Sequence, residues 1–479
     1  MSQRLGALDS VFLNLEDACH PMHIGCLLTF KTAPESPGRP GVARIFDTVA
    51  ARLPLLPGCR RRLVDVPLGL GRPVWVEDPD FDIRNHLHHV VLPPPGSREQ
   101  LMDTVSTLHA RRLDRGRPLW EMYLVHGLAD GRTALYSKLH HAMVDGVSAL
   151  ELGLVLLDLD PDGALAPRVS PLEAGQPVPD TSELVAAATR EAVGAIARAG
   201  VQGLRAAPGL LRGALDGAAS LDSIGSMLKM LRLAPAGPLN GSVGTARRVG
   251  CVRLPLGEIK DVKNRHGASV NDVVLATIGE ALSEYLAHVG VSADGLRYRV
   301  MVPVSMRSED DRTPGNQVSA VMVELPVGPM HPERRLWAVM QEMSANKQRG
   351  RAGAADGVLA MSAAAPAPLY AVASRLGMAN QRMVNVVVSN VPGVQMPVYA
   401  AGSRTLEMYP LLPLAPNNRV VVCALSYNNQ MNIGLVADRT SVPDLEVLER
   451  GITNGFRRLQ GMPPGVPRVA ARKRVVTRI

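Results

Sequence analysis

The amino-acid sequence predicts an α/β fold in which two similar layered domains each combine a sheet with flanking helices. The chain has 479 residues, more than one hydrophobic core usually supports, so two domains are expected. In both halves, short apolar runs typical of strands are separated by longer segments of helical periodicity, the pattern of layered α/β sheets. The sequence shows no clean internal repeat between the halves.

The first predicted domain covers residues 1–159. Its strand patterns are short and apolar, and they fall at residues 23–30, 72–77, 121–127 and 132–139. The turn Asp130–Gly131 joins the last two strands as a pair, because Asp-Gly suits a tight hairpin connection. Helical spacing marks residues 42–53, 98–112 and 147–159.

The middle segment, residues 160–248, differs in composition from both flanking domains. A linker rich in Pro, Gly and acids at 160–180 precedes an Ala-, Leu- and Arg-rich stretch at 181–233. This stretch predicts helices that either lie on a membrane or droplet surface or pack on the protein body. Residues 234–248 again have the composition of a loop.

The second predicted domain covers residues 249–460, and a basic tail follows at 461–479. Strands are predicted at residues 251–256, 299–304, 318–325, 384–388, 420–427 and 431–437. Helices are predicted at residues 270–286, 334–346 and 443–459. The tail carries cations without an acid, so it could bind anionic lipid, CoA phosphates or nucleic acid, although a solvated terminus is the simpler interpretation.

Composition and charge limit the classes of function. Hydrophobic residues make up 46% and charged residues 20%, which is typical of a globular protein. The formal charge is +8, but no nucleic-acid-binding motif occurs, so nucleic acid is the least expected partner. Five widely spaced cysteines without a CxxC pair indicate neither a zinc site nor a disulfide framework. Without the apolar core of a signal peptide or an apolar run typical of a membrane span, a cytoplasmic location is expected.

The segment from His140 to Gly146 carries the candidate chemistry. A strand pattern leads into His140 and His141, and Asp145 and Gly146 end a loop before a helical pattern. An alcohol is a poor nucleophile until its proton is withdrawn, and histidine titrates near neutral pH. His141 is therefore the candidate general base for transfer of an acyl group to an alcohol. The structural alternative is a pair of hydrogen-bonded core or loop histidines.

Other chemistries have weaker support in the sequence. No GxSxG elbow is present, so a serine nucleophile lacks its motif. Cys19 directly precedes His20, but neighbours in sequence are not the spatial pair that a thiolate nucleophile needs. HExxH is absent, so metal binding by His140, His141 and Asp145 is not expected. The sequence favours direct transfer without an acyl-enzyme, a metal or a cofactor.

The pattern HHxxxDG resembles the acyltransferase superfamily of chloramphenicol acetyltransferase, carnitine acyltransferases and peptide-synthetase condensation domains. Further segments are similar to the bacterial wax ester synthase/diacylglycerol acyltransferase family, especially its mycobacterial triacylglycerol synthases. These segments are LGALDSVFLNLEDACHPMHIGCLLTF from Leu5, LDRGRPLWE from Leu113, SVNDVVLA from Ser269, VPVSMR from Val302, GNQVSA from Gly315, NVVVSNVPG from Asn385 and, more loosely, LSYNNQMNIGLVAD from Leu425. The resemblance implies two chloramphenicol-acetyltransferase-like domains with mixed sheets and an active-site channel at their interface.

The resemblance also implies substrates and a location. The donor would be a long-chain acyl-CoA, acting as co-substrate, and the acceptor would be diacylglycerol. A fatty alcohol as acceptor would give a wax ester by the same machinery. The enzyme would sit peripherally on the inner membrane face or on lipid droplets. Two alternatives stay open: another acyl transfer, such as polyketide esterification or peptide-type condensation, and a non-catalytic lipid-surface protein with the same fold.

Within the histidine segment, the resemblance implies a role for each residue. His141 would be the general base, and His140 would shape the site. Asp145 would turn away from the substrate and pair with an arginine, which would hold the loop. Gly146 would allow substrate or backbone to approach closely. Candidates for that arginine are Arg307 and Arg60 to Arg62.

Two further segments receive roles from the resemblance. Pro118, Leu119 and Trp120 match the family's PLW segment and would support the site from beneath, with Trp120 in the core. Asn271 and Asp272 match its ND segment, where they would bind substrate and the Asn271 amide could hold an oxyanion. The structural interpretation is that Asn271 caps the next helix and Asp272 complements the helix dipole. For Asp272 the structural interpretation is favoured.

Overall fold

Two six-stranded sheets and a small three-stranded sheet form the framework of the protein. The computed structural model describes residues 3–31, 43–67, 70–143, 153, 156–161, 180–190, 193–194, 233–305, 318–350 and 382–461. Among these residues, no helix is both long and apolar enough to cross a membrane. Most of the predicted helical stretch at 181–233 and nearly all of the basic tail lie outside the described residues, although residues 181–190 are helical.

The described N-terminal half contains three α-helices and seven strands. In chain order these are β1 (Gln3–Arg4), α1 (Ala7–Leu15), β2 (His23–Phe30), α2 (Ala43–Arg52), β3 (Arg61–Val64), β4 (Val74–Glu77), β5 (Leu87–Val91), α3 (Arg98–Ala110), β6 (Trp120–His126) and β7 (Thr133–His140). Short 3-10 turns occupy Leu53–Leu55, Pro57–Arg60 and Ile83–Asn85. The four predicted strands and the two predicted helices at 42–53 and 98–112 are confirmed within two residues at each end.

The described C-terminal half contains four α-helices and eight strands. In chain order these are β8 (Arg247–Pro255), α4 (Leu256–His266), α5 (Val270–His288), β9 (Arg297–Ser305), β10 (Val318–Pro326), α6 (Pro332–Gly350), β11 (Val386–Val391), β12 (Tyr399–Ala400), β13 (Ser403–Leu411), β14 (Val420–Tyr427), β15 (Gln430–Asp438) and α7 (Leu445–Gln460). Every strand and helix predicted for this half is confirmed, with ends that shift by up to four residues.

One predicted helix ends differently. Residues 156–159 were expected to close the helix at 147–159, but they form a turn and a β-bridge between Asp158 and Tyr399. Two backbone hydrogen bonds of 2.7 Å join these residues, and the Asp158 carboxylate pairs with the buried Arg52 at the end of α2. These tertiary contacts outweigh local helix propensity. Of residues 144–155, the structure describes only Gly153.

Both large sheets are mixed. The first has the order β12-β13-β2-β7-β6-β5, and the second has the order β10-β9-β11-β14-β15-β8. Parallel pairs occur between β5 and β6, between β9 and β11, and between β11 and β14, whereas the other pairs in these sheets are antiparallel. The predicted α/β class with two sheet-and-helix layers is confirmed.

Helix α5 organises the core of the second half. Its N-terminus has a capping box, in which Ser269 Oγ accepts from Asp272 N at 3.1 Å and Asp272 Oδ2 accepts from Ser269 N at 2.8 Å. The buried guanidinium of Arg335 on α6 reaches Glu280 on α5 at 2.9 Å. Apolar side chains of α5 and α7 pack with the second sheet in one large cluster. The N-terminal cap and the burial of apolar side chains therefore both stabilise this helix.

Strand β13 joins the two halves, although the sequence does not predict it. It lies within the predicted domain 249–460, yet it pairs with β2 of the first sheet, and β12 extends that sheet further. The strand also passes directly over β15, because Gly434 has no side chain there: a Cβ on Gly434 would lie 1.9 Å from Pro410 O. The domain boundaries at 159, 248 and 460 stay predictions, but the sheets do not separate at them.

We expect Gly434→Ala to destabilise the fold, because the new methyl group would overlap a backbone oxygen that cannot move without displacing β13. Overpacking of this kind costs about 1–3 kcal/mol, measurable as a lower midpoint of denaturant unfolding. The matched control is Gly257→Ala in α4, where a Cβ meets no atom closer than 3.9 Å. The control is expected to be neutral or slightly stabilising. An equal midpoint for both variants would contradict the close crossing of β13.

Candidate active site

The end of strand β7 holds the two histidines of the motif in place. His140 N donates to Leu119 O at 2.9 Å, so the PLW segment contacts the first histidine directly. His141 N donates to Met22 O at 2.8 Å, and Met143 N donates to His140 O at 2.9 Å. These bonds fix the backbone turn that follows the strand. Support of the site by the PLW segment stays a prediction.

The hydrogen bonds of His140 define its tautomer. Its Nδ1 accepts from Ala142 N at 3.0 Å, so the proton of the neutral ring is on Nε2. Nε2 lies 3.5 Å from Glu16 Oε1, and the His140 side chain is completely buried. Both ring nitrogens therefore face protein groups. The role of His140 in shaping the site stays a prediction.

Glu16, at the C-terminal end of α1, is a site residue that the sequence reasoning missed. Its Oε2 accepts from Arg115 Nε at 2.8 Å, and Arg115 Nη2 also donates to Leu13 O at 2.8 Å. Burial raises the pKa of Glu16, but His140 and Arg115 together lower it below its ordinary value. Both Glu16 and Arg115 lie in segments that carry the family resemblance, which was the available signal.

His141 is the more exposed of the two histidines. Its imidazole stacks on the Phe12 ring, with centroids 3.9 Å apart and planes 8° apart. Because Phe12 also belongs to α1, one helix contacts the side chains of both histidines. Asp145, Gly146 and Arg307 lie outside the described residues. Of the other arginines considered for Asp145, Arg62 lies 3.6 Å from Asp78, and Arg61 Nη1 donates to Gln3 Oε1 at 3.2 Å.

Buried histidines lie behind β7 on the face that carries His140. His23 Nε2 is 2.9 Å from His109 O, and His109 Nδ1 is 2.7 Å from Tyr136 Oη. Burial lowers the pKa of His109 to about 3, and it also lowers the pKa of His23. These histidines stay neutral at physiological pH and hold the C-terminal end of α3 against the sheet. They are structural supports that the sequence analysis did not single out.

An apolar cavity of about 150 Å³ lies on the opposite face of β7. Its walls include cross-strand pairs of β7 and β2: Leu139 with Ile24, Ser137 with Cys26, and Leu135 with Leu28. Helix α2 and strands β11, β13 and β14 contribute further walls. The cavity therefore lies between the two sheets, where the sequence predicts the channel.

The cavity extends along β7, away from the end of the strand that precedes His141. Leu139, two residues before His141, lines one end together with Trp120, whose Nε1 donates to Cys59 O at 2.7 Å. Leu135 precedes Leu139 by four residues on β7, so the two lie roughly 13 Å apart at the rise of a strand. Met408 lines that distant part because it pairs with Leu28, and Ala400 does so because it pairs with Ser403 at the start of β13, beyond the pair of Thr405 with Phe30. Trp120 is thus both a core residue and part of the cavity wall.

Of the two interpretations of the ND segment, the structure excludes capping by Asn271 and places Asp272 in the first turn of α5. Ser269, not Asn271, caps α5, because the Ser269 side chain accepts the free backbone N–H in the first turn. The Asp272 carboxylate belongs to that capping box. Asn271 Oδ1 instead accepts from Asn390 Nδ2 at 3.4 Å, and the neighbouring Ser389 lines the cavity. Substrate binding by Asn271 or Asp272 stays a prediction.

The cysteines of the cavity wall are poor nucleophiles. Burial raises the pKa of Cys26, Cys59 and Cys423 to about 12 in each case. A thiol must ionise before it attacks a thioester, so these thiols do not support an acyl-cysteine intermediate. Within the described residues, no cluster of three or more His, Cys, Asp or Glu side chains could hold a metal ion.

The turn with His140 and His141 lies at the end of β7, beside an apolar cavity between two mixed-sheet layers, which is the arrangement expected of an HHxxxDG acyltransferase. Family models agree: the wax ester synthase/diacylglycerol acyltransferase catalytic domain matches residues 5–274, and the WS/DGAT C-terminal domain matches residues 314–460. The chain belongs to the wax ester synthase/diacylglycerol acyltransferase family and is an acyltransferase. Its substrates are accordingly an acyl donor and a lipid acceptor.

Individual relatives support this assignment. The chain is 33% identical over 458 residues to a probable diacylglycerol O-acyltransferase of Mycobacterium tuberculosis, covering 95% of each chain. A second such protein of that organism is 35% identical over 458 residues, with 94% of this chain and 97% of the relative covered.

Solved structures show the same fold. The wax ester synthase/diacylglycerol acyltransferase of Marinobacter aquaeolei VT8 superposes with a TM-score of 0.69 at 28% identity, covering 96% of this chain and 98% of that chain. The first condensation domain of the calcium-dependent antibiotic synthetase has a TM-score of 0.59 at 18% identity, with 97% of this chain and 98% of that chain covered. The second similarity concerns the fold alone.

We expect Cys26, Cys59 and Cys423 to resist iodoacetamide in the native protein at mildly alkaline pH. With a pKa of about 12, almost no thiolate is present, so labelling should be about 1000-fold slower than in the unfolded chain. Peptide mass spectrometry before and after guanidinium unfolding measures the rates, and the unfolded chain is the internal control. Native labelling as fast as unfolded labelling would reopen an acyl-cysteine route.

Proposed function

We propose that this enzyme transfers a long-chain acyl group from acyl-CoA to diacylglycerol, giving triacylglycerol, with His141 as general base. The observation that carries the proposal is the position of His141, a half-buried residue two positions beyond Leu139, which lines the apolar cavity on β7. Names of relatives supply the acceptor, because two mycobacterial relatives are described as diacylglycerol O-acyltransferases. No cofactor is required beyond the acyl-CoA co-substrate.

The proposed chemistry is a direct displacement. His141 takes the hydroxyl proton as the alcohol oxygen attacks the thioester carbonyl, so a C–O bond forms and the C–S bond breaks. The CoA thiolate leaves and receives the proton from His141, which restores the neutral base. Since the thiolate is a good leaving group, no second acid is needed. The stacked Phe12 covers a face of the imidazole, whereas proton transfer occurs in the plane of the ring.

The apolar cavity is suited to hold the acyl chain. Its described walls are almost entirely aliphatic, aromatic or sulfur-containing side chains, with Ser137 and Ser389 as the polar exceptions among side chains. Each buried methylene contributes about 0.8 kcal/mol, so a long chain gains substantial binding energy in such a space. The cavity begins near His141 and extends along β7, which would place a thioester carbonyl at the histidine end.

We also propose that the enzyme acts at a lipid surface on the cytoplasmic side of the membrane or on lipid droplets. Diacylglycerol and triacylglycerol reside in such phases, so the acceptor must be taken from one. A fatty alcohol is the second candidate acceptor, because a structural neighbour is a wax ester synthase as well as a diacylglycerol acyltransferase. Either acceptor presents one hydroxyl to His141.

We expect His141→Ala to lower kcat at least about 100-fold, because a positioned general base contributes that much or more. The assay follows labelled acyl-CoA with diacylglycerol and, separately, with a fatty alcohol, and the ratio of the two rates identifies the better acceptor. The control is His89→Ala, which removes an exposed histidine from the edge strand β5. Full activity of His141→Ala would refute the base assignment. Inactivity of the wild type with both acceptors would favour a non-catalytic lipid-surface protein.

We expect Ala400→Phe to shift the acyl-CoA preference toward shorter chains. Ala400 is buried and lines the part of the cavity distant from His141, so a phenyl ring there would occupy space for the chain terminus. The measurement is kcat/KM for a series of acyl-CoA chain lengths. Ala51→Phe on the exposed side of α2 is the matched control and should keep the wild-type profile. An unchanged profile in Ala400→Phe would exclude the cavity as the acyl site.

A further inference from the structure

We propose that Glu16 is a positioning residue for the reaction, which acts by holding His140, the residue directly before His141, as the Nε2–H tautomer. The inference rests on the proposed function in so far as it concerns turnover. Its geometric part, the contact between a carboxylate and the first histidine, does not depend on the substrate.

The two oxygens of the Glu16 carboxylate face different partners. Oε1 faces His140 Nε2 at 3.5 Å, while Oε2 accepts from Arg115 Nε at 2.8 Å. The Glu16 side chain is only 2% exposed, so its charge needs a compensating cation. Arg115 supplies that cation from a side chain that still reaches solvent. His140 can therefore remain a neutral donor toward Glu16.

The other ring nitrogen of His140, Nδ1, accepts a hydrogen bond from the backbone. Ala142 N–H donates to His140 Nδ1 at 3.0 Å, which requires a lone pair on Nδ1 and the proton on Nε2. If the proton moved to Nδ1, two N–H groups would meet, and a lone pair on Nε2 would face the Glu16 carboxylate at 3.5 Å. The Glu16 charge and the Ala142 N–H therefore favour the same tautomer, which also holds the backbone immediately after His141.

The end of helix α1 contacts both histidines. Phe12 and Glu16 are four residues apart, and Glu16 N donates to Phe12 O at 3.1 Å, so they lie on one face of the helix end. Phe12 stacks on His141 while Glu16 faces His140. A shift of α1 would therefore move both rings together, and Arg115 opposes such a shift through its bond to Leu13 O.

The two faces of strand β7 separate the cavity from His140. Leu135, Ser137 and Leu139 line the cavity, whereas His140 belongs to the opposite alternation and is buried on the other face. Loss of the Glu16 carboxylate should disturb the orientation of the base but leave the acyl cavity intact. The expected signature is a fall in kcat with little change in KM for acyl-CoA, because displacement of a catalytic group by a fraction of an ångström to 1 Å is costly.

The kinetic test compares Glu16→Ala with Glu16→Gln in the full chain. We expect Glu16→Ala to lower kcat roughly 10- to 100-fold with KM for acyl-CoA within about twofold of wild type. Glu16→Gln retains an oxygen that can accept from His140 and should recover part of that loss. The matched control is Glu446→Ala, which removes a half-exposed ion-pair partner of Arg248 and should leave kcat unchanged. Thermal unfolding checks that each variant is folded.

The spectroscopic test reads the tautomer directly. In histidine-selective ¹⁵N spectra, with the His140 signals assigned by His140→Gln, wild type should show a protonated Nε2 and an unprotonated Nδ1. Glu16→Ala should show a mixture of tautomers. A protonated Nδ1 in wild type would overturn the inference, and so would unchanged kcat and an unchanged spectrum in a folded Glu16→Ala. If Glu16→Ala does not fold, the inference is overturned by an unchanged spectrum and kcat in Glu16→Gln together with wild-type activity in Arg115→Gln.

The two proposals fail in distinguishable ways. If wild type lacks acyltransfer with both acceptors, the proposed function fails, whereas the ¹⁵N spectra still test the contact between Glu16 and His140. If wild type is active and His141→Ala is not, but both Glu16 variants retain wild-type kcat, the base assignment stands and the positioning role of Glu16 is refuted.

Discussion

The crossing of β13 from the C-terminal half into the first sheet is the constraint on which the cavity depends. Met408, Pro410 and Leu411 of this strand line the cavity, and their backbone completes the sheet beside β2. The crossing requires a backbone approach that only glycine permits at position 434. The halves therefore cannot separate without opening the cavity, and the cavity is a product of their association rather than of either half.

Strand β7 divides the site into two environments. Side chains alternate along a strand, so one face presents an apolar wall and the other presents buried polar groups. Leu139 ends the apolar wall, and His140 next to it belongs to the polar layer with Lys138. His141 follows where the strand ends, half-buried and with its ring stacked on Phe12. A base at this point can serve a hydrophobic substrate without being buried in the hydrophobic layer.

Most of the titratable groups around the site are held in inactive states. Burial raises the pKa of three cavity thiols to about 12 and lowers the pKa of His109 to about 3. His140 has both ring nitrogens directed at protein groups. These environments remove the competing nucleophiles and bases by desolvation and hydrogen bonding. His141 differs from His140 in being only half-buried, and a direct proton transfer requires access of the substrate to the base.

Much of the fold and part of the site could be predicted from the sequence. The strands at 23–30 and 420–427 coincide with β2 and β14, because continuous apolar runs and helical periodicity are local signals. The histidine motif is likewise contiguous. Local signals failed where a polar or proline-containing segment formed a strand: β13 contains Arg404, Glu407 and Pro410. Asn271 as the cap of α5, one of two interpretations from the sequence, is wrong by two residues, because Ser269 and Asn271 are both good capping residues in sequence.

By itself, the sequence determined the element types, the candidate base His141 and the family, since each depends on contiguous residues or on many matching segments. Only the tertiary structure decided which groups surround that base. Glu16 and His140 are separated by more than a hundred residues, and Arg115 reaches the same carboxylate from a third segment. No local pattern encodes a contact of this kind, because chain distance carries no information about which buried charges will meet. Folding brings them together, and desolvation makes their pairing obligatory.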